Sequence, residues 1–133
     1  MIIVAAALIQ QDARLLICQR RRTDAFGLKW EFPGGKVQPA ESAAEGLARE
    51  LAEELGVTAA IGPEVYRTRH RYAEYSDELE LVFFVAALNA SEVRNLAFER
   101  IAWAELATLP RYDFLPADRE LVSLISSGRL RLS

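Results

Sequence analysis

Residues 35–57 read GKVQPAESAAEGLARELAEELGV, and this stretch decides how the chain is organised. Ser42 followed by Glu45 is a capping box, which predicts a helix start. Gly56 after Leu55 is the residue type that ends a helix in a left-handed turn. Between them Ala44, Leu47, Ala48, Leu51 and Leu55 recur at helical spacing and predict a stripe facing a core. Glu50, Glu53 and Glu54 sit at i, i+3 and i+4, so they share a different stripe. Gly46 lies one turn before Glu50 and leaves room there for something bulky.

That acidic stripe carries two penalties. Like charges at these spacings repel by roughly 0.2–0.5 kcal/mol per pair. Glu53 and Glu54 also occupy the last turn, where the helix dipole favours cations. Arg49 is the only base on the helix. A solvated Glu-rich face is one reading. A bound divalent cation, which would reverse both penalties, is the other. Carboxylate oxygens suit Mg²⁺ or Mn²⁺ rather than a soft metal. The preceding Pro33-Gly34-Gly35, which lets a ligand approach the backbone, favours the cation.

Gly35, Glu41, Arg49-Glu50-Leu51, Glu53-Glu54 and Gly56-Val57 stand at the spacing of the Nudix box, which the chain resembles at every defined position. Residues 30–37, WEFPGGKV, resemble the MutT-type branch of that family, which hydrolyses nucleoside triphosphates. The resemblance implies an α/β fold, a Nudix-type α/β/α sandwich around a mixed sheet. It implies Glu50, Glu53, Glu54 and the Gly34 carbonyl as ligands of Mg²⁺, or of Mn²⁺ in its place. Arg49 would orient a ligand carboxylate, and Glu41 would brace the loop. Gly35, Glu41 and Gly56 complete the motif.

Size and composition agree with one domain spanning residues 1–133. A chain of this length buries about two-thirds of its unfolded surface. The net charge of −3 argues against a nucleic-acid polymer as partner and leaves a small nucleotide open. The single Cys18 cannot form an internal disulfide, which points to a reducing compartment, the cytoplasm. The apolar start, Met1 to Ile9, is too short to span a bilayer and lacks the marks of a signal peptide, so no membrane partner is expected. A monomer or a homodimer is expected.

Taken in order, residues 2–9 and 14–20 read as a hairpin of two strands turning at Gln10-Gln11-Asp12. Arg20 ends the second strand and offers a planar donor fork for phosphate or ribose. An exposed strand end is the other reading. Residues 23–28 read as a loop, and 29–32 as a short strand feeding a turn at 33–35. Lys36 is either a phosphate partner or solvated. Residues 58–61 look β-like and are broken by Gly62-Pro63. Residues 65–72 and 79–88 read as strands joined by a polar turn at Glu74 to Asp77. His70, the only histidine, reads as a surface residue rather than a base. Residues 89–95 read as a loop, 98–103 as a strand, 103–106 as the start of a short helix and 116–127 as a final amphipathic helix.

The resemblance suggests two further residues. Glu99 is the nearest acid before Trp103 and is the candidate general base, with a helix glutamate as the alternative. Positions 97 and 99 are expected to share one strand face, so Glu99 can stand in for a family carboxylate at 97. Asp118, in Pro116-Ala117-Asp118, is the candidate for reading the base; capping the last helix is its other reading. An ionised Asp only accepts hydrogen bonds, which suits the exocyclic amine of cytosine. The expected activity is hydrolysis of a (deoxy)nucleoside triphosphate to the monophosphate and pyrophosphate, with cleansing of oxidised or modified nucleotides as its purpose. An ADP-ribose or nucleotide-sugar pyrophosphatase is the alternative, and a catalytically silent nucleotide-binding module is the third.

Overall fold

The computed structural model of the chain describes residues 1–72, 77–89 and 92–132. It holds a seven-stranded mixed sheet. The strands are β1 (Ile2–Gln11), β2 (Arg14–Gln19), β3 (Trp30–Glu31), β4 (Gly34–Lys36), β5 (Ala59–His70), β6 (Leu79–Leu88) and β7 (Arg100–Glu105). Two helices, α1 (Ala43–Leu55) and α2 (Arg119–Ser126), cover it. β1 is the hub: it pairs antiparallel with β2 and β4, and parallel with β6. β2 carries β3 and β7, both antiparallel, and β5 pairs with β6.

The continuous apolar run of β1 now has its reason. Ala5 to Ile9 are all buried because helices cover both faces of the sheet. Ala5, Ala7 and Ile9 pack with Leu47, Leu51 and Leu55 of α1. Ala6 and Leu8 pack in the opposite layer with Leu121, Val122 and Ile125 of α2. Each fully buried leucine contributes about 1.5–3 kcal/mol. The expected α/β/α sandwich is the observed fold.

The capping box of α1 is formed. Ser42 Oγ accepts from the Glu45 N–H at 3.1 Å, and the Glu45 carboxylate accepts from the Ser42 N–H at 2.7 Å. Gly56 closes the helix at φ 65°. Past it, the N–H groups of Arg94 and Leu96 donate to the carbonyls of Leu55 and Glu54. The chain around residue 95 thus satisfies the acidic helix end that lacks its own cation.

Several expectations are corrected. Residues 33–35 are not only a turn: Gly34–Lys36 forms β4 against β1. A side chain on Gly34, at φ 156°, would collide with the Ala5 carbonyl, so glycine is needed for this close approach. Gly62-Pro63 does not break its strand; β5 runs through it with register shifts between Ile61 and Tyr66. Bulges on an edge strand absorb the proline. β7 begins at Arg100 rather than Phe98. The short helix is a 3-10 helix over Leu106–Arg111. The final helix is split into a 3-10 turn at Pro116–Asp118 and then α2. The room beside Gly46 is filled by the Glu41 carboxylate, 2.8 Å from where a Cβ would stand. Most of the turn expected at Glu74 to Asp77, and residues 90 and 91 of the loop expected at 89–95, lie outside the described residues.

Candidate active site

One cleft of about 460 Å³ runs from the N-terminal ends of β1 and β6 to the outer face of α1. Its acidic end holds Gly34, Gly35, Lys36, Glu50 and Glu54. Its apolar end is walled by Phe26, Phe32, Tyr72, Leu81 and Leu115, with Asp118 among them. Arg20 and Glu31 also line it.

At the acidic end Arg49 is a hub. It donates to Glu41 from Nη2 at 2.7 Å and from Nε at 3.2 Å. Its Nη1 reaches Glu50 at 3.0 Å and, more loosely, Glu53 at 3.4 Å. Nη2 also donates to the Lys36 carbonyl at 3.2 Å, tying the hub to β4. Glu41 accepts the Gln38 N–H at 2.7 Å as well, so it braces the loop that enters α1. These bonds hold the Glu41 carboxyl below its usual range, Arg49 foremost, and raise Arg49 above its own. A Cβ on Gly35 would stand 2.5–2.8 Å from the Glu50 carboxylate. The glycine lets that carboxylate lie against the backbone.

Glu54 is left out of the hub. Its Oε1 is buried without a hydrogen-bond partner. Burial first, then the neighbouring charge of Glu50, push its pKa up to about 8, against a backbone N–H from Gly34 that lowers it. An uncompensated carboxylate beside a second one fits a divalent cation, whose charge would remove both causes of the shift. Among the described residues, no three acidic, His or Cys side chains converge into a ready cation cage. Arg49 explains this: it draws Glu50 and Glu53 toward itself. Glu53 is 59% exposed and does not line the cleft.

A sequence model of the NUDIX domain matches residues 1–125. The chain belongs to the Nudix family. It is 36% identical to a CTP pyrophosphohydrolase of Escherichia coli K12, over 97% of this chain and 94% of that one. It is 35% identical to a putative 8-oxo-dGTP diphosphatase 2 of Mycobacterium tuberculosis, over 88% of this chain and 82% of that one. Its fold is similar to that of the MutT protein from Methanosarcina mazei, with a TM-score of 0.85 and 25% identity, over 98% of this chain and 96% of that one. Nudix hydrolases use a divalent metal.

The other expected residues of this Nudix chain fall into two groups. Arg20 and Lys36 line the cleft. Arg20 is pre-set by Nε donating to the Ala25 carbonyl at 2.7 Å and Nη1 reaching Glu31 at 3.2 Å. Asp118 is 3% exposed and lines the apolar end. It makes no side-chain capping bond to α2, so the capping alternative is not realised. Glu99 is the exception. Its carboxylate accepts from the Arg22 N–H at 3.4 Å, and it is absent from the cleft lining. The strand-face argument fails because Ala97 and Glu99 both precede β7. His70 packs its ring on Tyr72 at 4.3 Å and is also outside the lining.

Two residues were missed. Glu31 received no role, although it stands inside the WEFPGGK run. It faces Arg20 from β3, and burial raises its pKa while Arg20 lowers it. Tyr72 read only as a strand end. Its ring lies 4.7 Å from Phe26, and its hydroxyl accepts the buried Ala117 N–H at 3.1 Å. That bond fixes the turn carrying Asp118. Trp30 adds a second tie, donating its N–H to the Asp113 carbonyl and accepting from the Leu115 N–H. Nothing local in the sequence signals either tie. Among the described residues, no helix is long and apolar enough to cross a membrane.

Proposed function

We propose that this protein hydrolyses a nucleoside triphosphate to its monophosphate and pyrophosphate, using Mg²⁺ or Mn²⁺ in its place. The observation that carries the reading is the cleft itself. It joins a buried carboxylate, one of whose oxygens has no partner, to a slot walled mainly by apolar side chains. One end suits a cation-bound phosphate chain, and the other suits a flat base.

Glu50, Glu54 and the Gly34 carbonyl would hold the cation, with Glu53 joining from the same helix face. The bound ion would polarise phosphoryl oxygens and acidify water. Arg49 orients Glu50 and Glu53, and Glu41 holds Arg49. Arg20 and Lys36 offer donors to the phosphates or the ribose. Glu99 accepts from the Arg22 N–H, whereas Glu53 shares α1 with Glu50 and Glu54, so proton removal is assigned to an α1 glutamate. Glu53 is the candidate, because it is open to water and only loosely held. Its role is then acid–base rather than wholly ligating.

Similarity to a protein named as a CTP pyrophosphohydrolase supports a cytosine base. Similarity to one named as an 8-oxo-dGTP diphosphatase supports removal of damaged nucleotides, in the service of DNA repair. The substrate would be a free nucleotide of the cytoplasm. The test is a panel of ribo- and deoxynucleoside triphosphates, normal and oxidised, with Mg²⁺. Pyrophosphate and a monophosphate are the expected products. Orthophosphate alone would overturn the reading.

A further inference from the structure

The sequence expectation treats Asp118 as an ionised acceptor, and its surroundings argue otherwise. The residue is 3% exposed. Its carboxyl belongs to no ion pair among the described residues, and the charge that acts on it is that of Glu31. The helix it precedes takes no cap from it. Its neighbours in the slot are Phe26, Phe32, Tyr72, Leu79, Leu81 and Leu115; the Tyr72 hydroxyl, which accepts the Ala117 N–H, is the one polar group among them. The one guanidinium lining the cleft, Arg20, is committed to Glu31 and to the Ala25 carbonyl. The remaining charges nearby add little relief. Glu31, Glu50 and Glu54 in the same cleft are acids, and Lys36 stands at the opposite, acidic end. Arg119 is turned to the Phe114 carbonyl and to Asp113.

We propose that Asp118 meets the base as a neutral carboxylic acid that donates one hydrogen bond and accepts another. The inference rests on the proposed function and deepens it. A charge taken from water into an apolar slot without a partner is too costly, so the group keeps its proton. Burial first, then the charge of Glu31, push the Asp118 pKa well above its usual value, in agreement. A neutral acid presents a donor beside an acceptor. That pair matches a base edge with an acceptor beside a donor, such as N3 and the N4 amine of cytosine. Two hydrogen bonds then form in one plane, and the acid and the base share no charge. A guanine edge that offers N1–H and the N2 amine presents two donors, and the acid's own O–H opposes one of them. The slot thus selects an amidine-type edge by protonation as well as by shape.

The test uses the whole protein with Mg²⁺ and the non-hydrolysable α,β-methylene analogues of dCTP and dGTP, so that binding is read without turnover. Asp118→Asn keeps one donor and one acceptor in nearly the same shape. It is expected to hold the dCTP analogue within about threefold of the wild type, with the cytosine preference intact. Asp118→Leu, which removes both, is expected to weaken the dCTP analogue by about tenfold or more, as the loss of two hydrogen bonds implies. The carboxyl carbon of Asp118, followed by NMR in the unsubstituted protein near neutral pH, should give the signal of the acid rather than the anion. A carboxylate signal would overturn the proposal, as would an Asn variant that falls as far as the Leu variant. Failure to bind either analogue would overturn the proposed function itself, and this inference with it.

Discussion

Two arginine-centred networks lie on this molecule, and they are built to opposite ends. On β5, Arg67 reaches Glu64 at 2.7 Å and Glu80 at 2.6 Å, while Arg69 reaches the other Glu80 oxygen at 3.3 Å. The buried Glu80 has both oxygens engaged, and the charges nearly balance. On α1, Arg49 alone serves Glu41, Glu50 and Glu53, and Glu54 gets nothing from it. The first network is complete and needs no ligand. The second carries surplus negative charge at a cleft, which is what a cation site needs before its cation arrives. Counting salt bridges would have ranked the two alike.

The contrast breaks most sharply at Glu53. Glu53→Gln is expected to lower turnover of the best triphosphate by about 10²–10⁴-fold, with nucleotide affinity retained, in a pyrophosphate-release assay. An unchanged rate would move the base elsewhere. Arg49→Ala should come next, lowering turnover about 10–100-fold and raising the Mg²⁺ concentration needed, because it loosens the ligand carboxylates. Arg67→Ala should do the reverse. It leaves Glu80 with Arg69 as its remaining partner, so the thermal midpoint should fall by a few degrees while kcat stays near the wild type.

Glu54 sharpens the comparison through pH. Its folded pKa of about 8 lies above the ordinary carboxyl value of 4.5, so the folded metal-free protein holds a proton that the unfolded chain releases. Stability from this group is therefore present below the unfolded value and is lost as pH rises toward 8. The expected loss is on the order of 1–3 kcal/mol, discounted for partial exposure. Melting curves across that window should show it, with less loss when Mg²⁺ is present and little in Glu54→Gln. Glu99→Ala closes the series. It should change turnover by no more than about twofold, as for a surface carboxylate.

What could be read in advance follows the range of the interactions. The boundaries of α1 are set by Ser42, Glu45 and Gly56, all within one turn of the ends they control, so the sequence carries them openly. The continuous apolar run of β1 likewise announces a buried strand. The slot is different. It depends on Tyr72 meeting Ala117 and on Trp30 meeting Asp113 and Leu115, pairs far apart along the chain. Gly34-Gly35 read as a turn because glycine usually marks one; only the partner strand reveals β4. The strand-face argument for Glu99 fails for a similar reason, since it applies strand parity to residues that precede the strand. The protonation of Asp118 depends on walls drawn from several separate segments.

The hydrogen bond from the Ala117 amide to the Tyr72 hydroxyl also makes a gauge. That amide can trade its proton with solvent only when this bond opens, and the phenol that holds it lines the slot. Its exchange rate should therefore slow when the right nucleotide sits down and quicken for a poor fit, giving a single-atom readout of recognition that needs no chemistry at the phosphates.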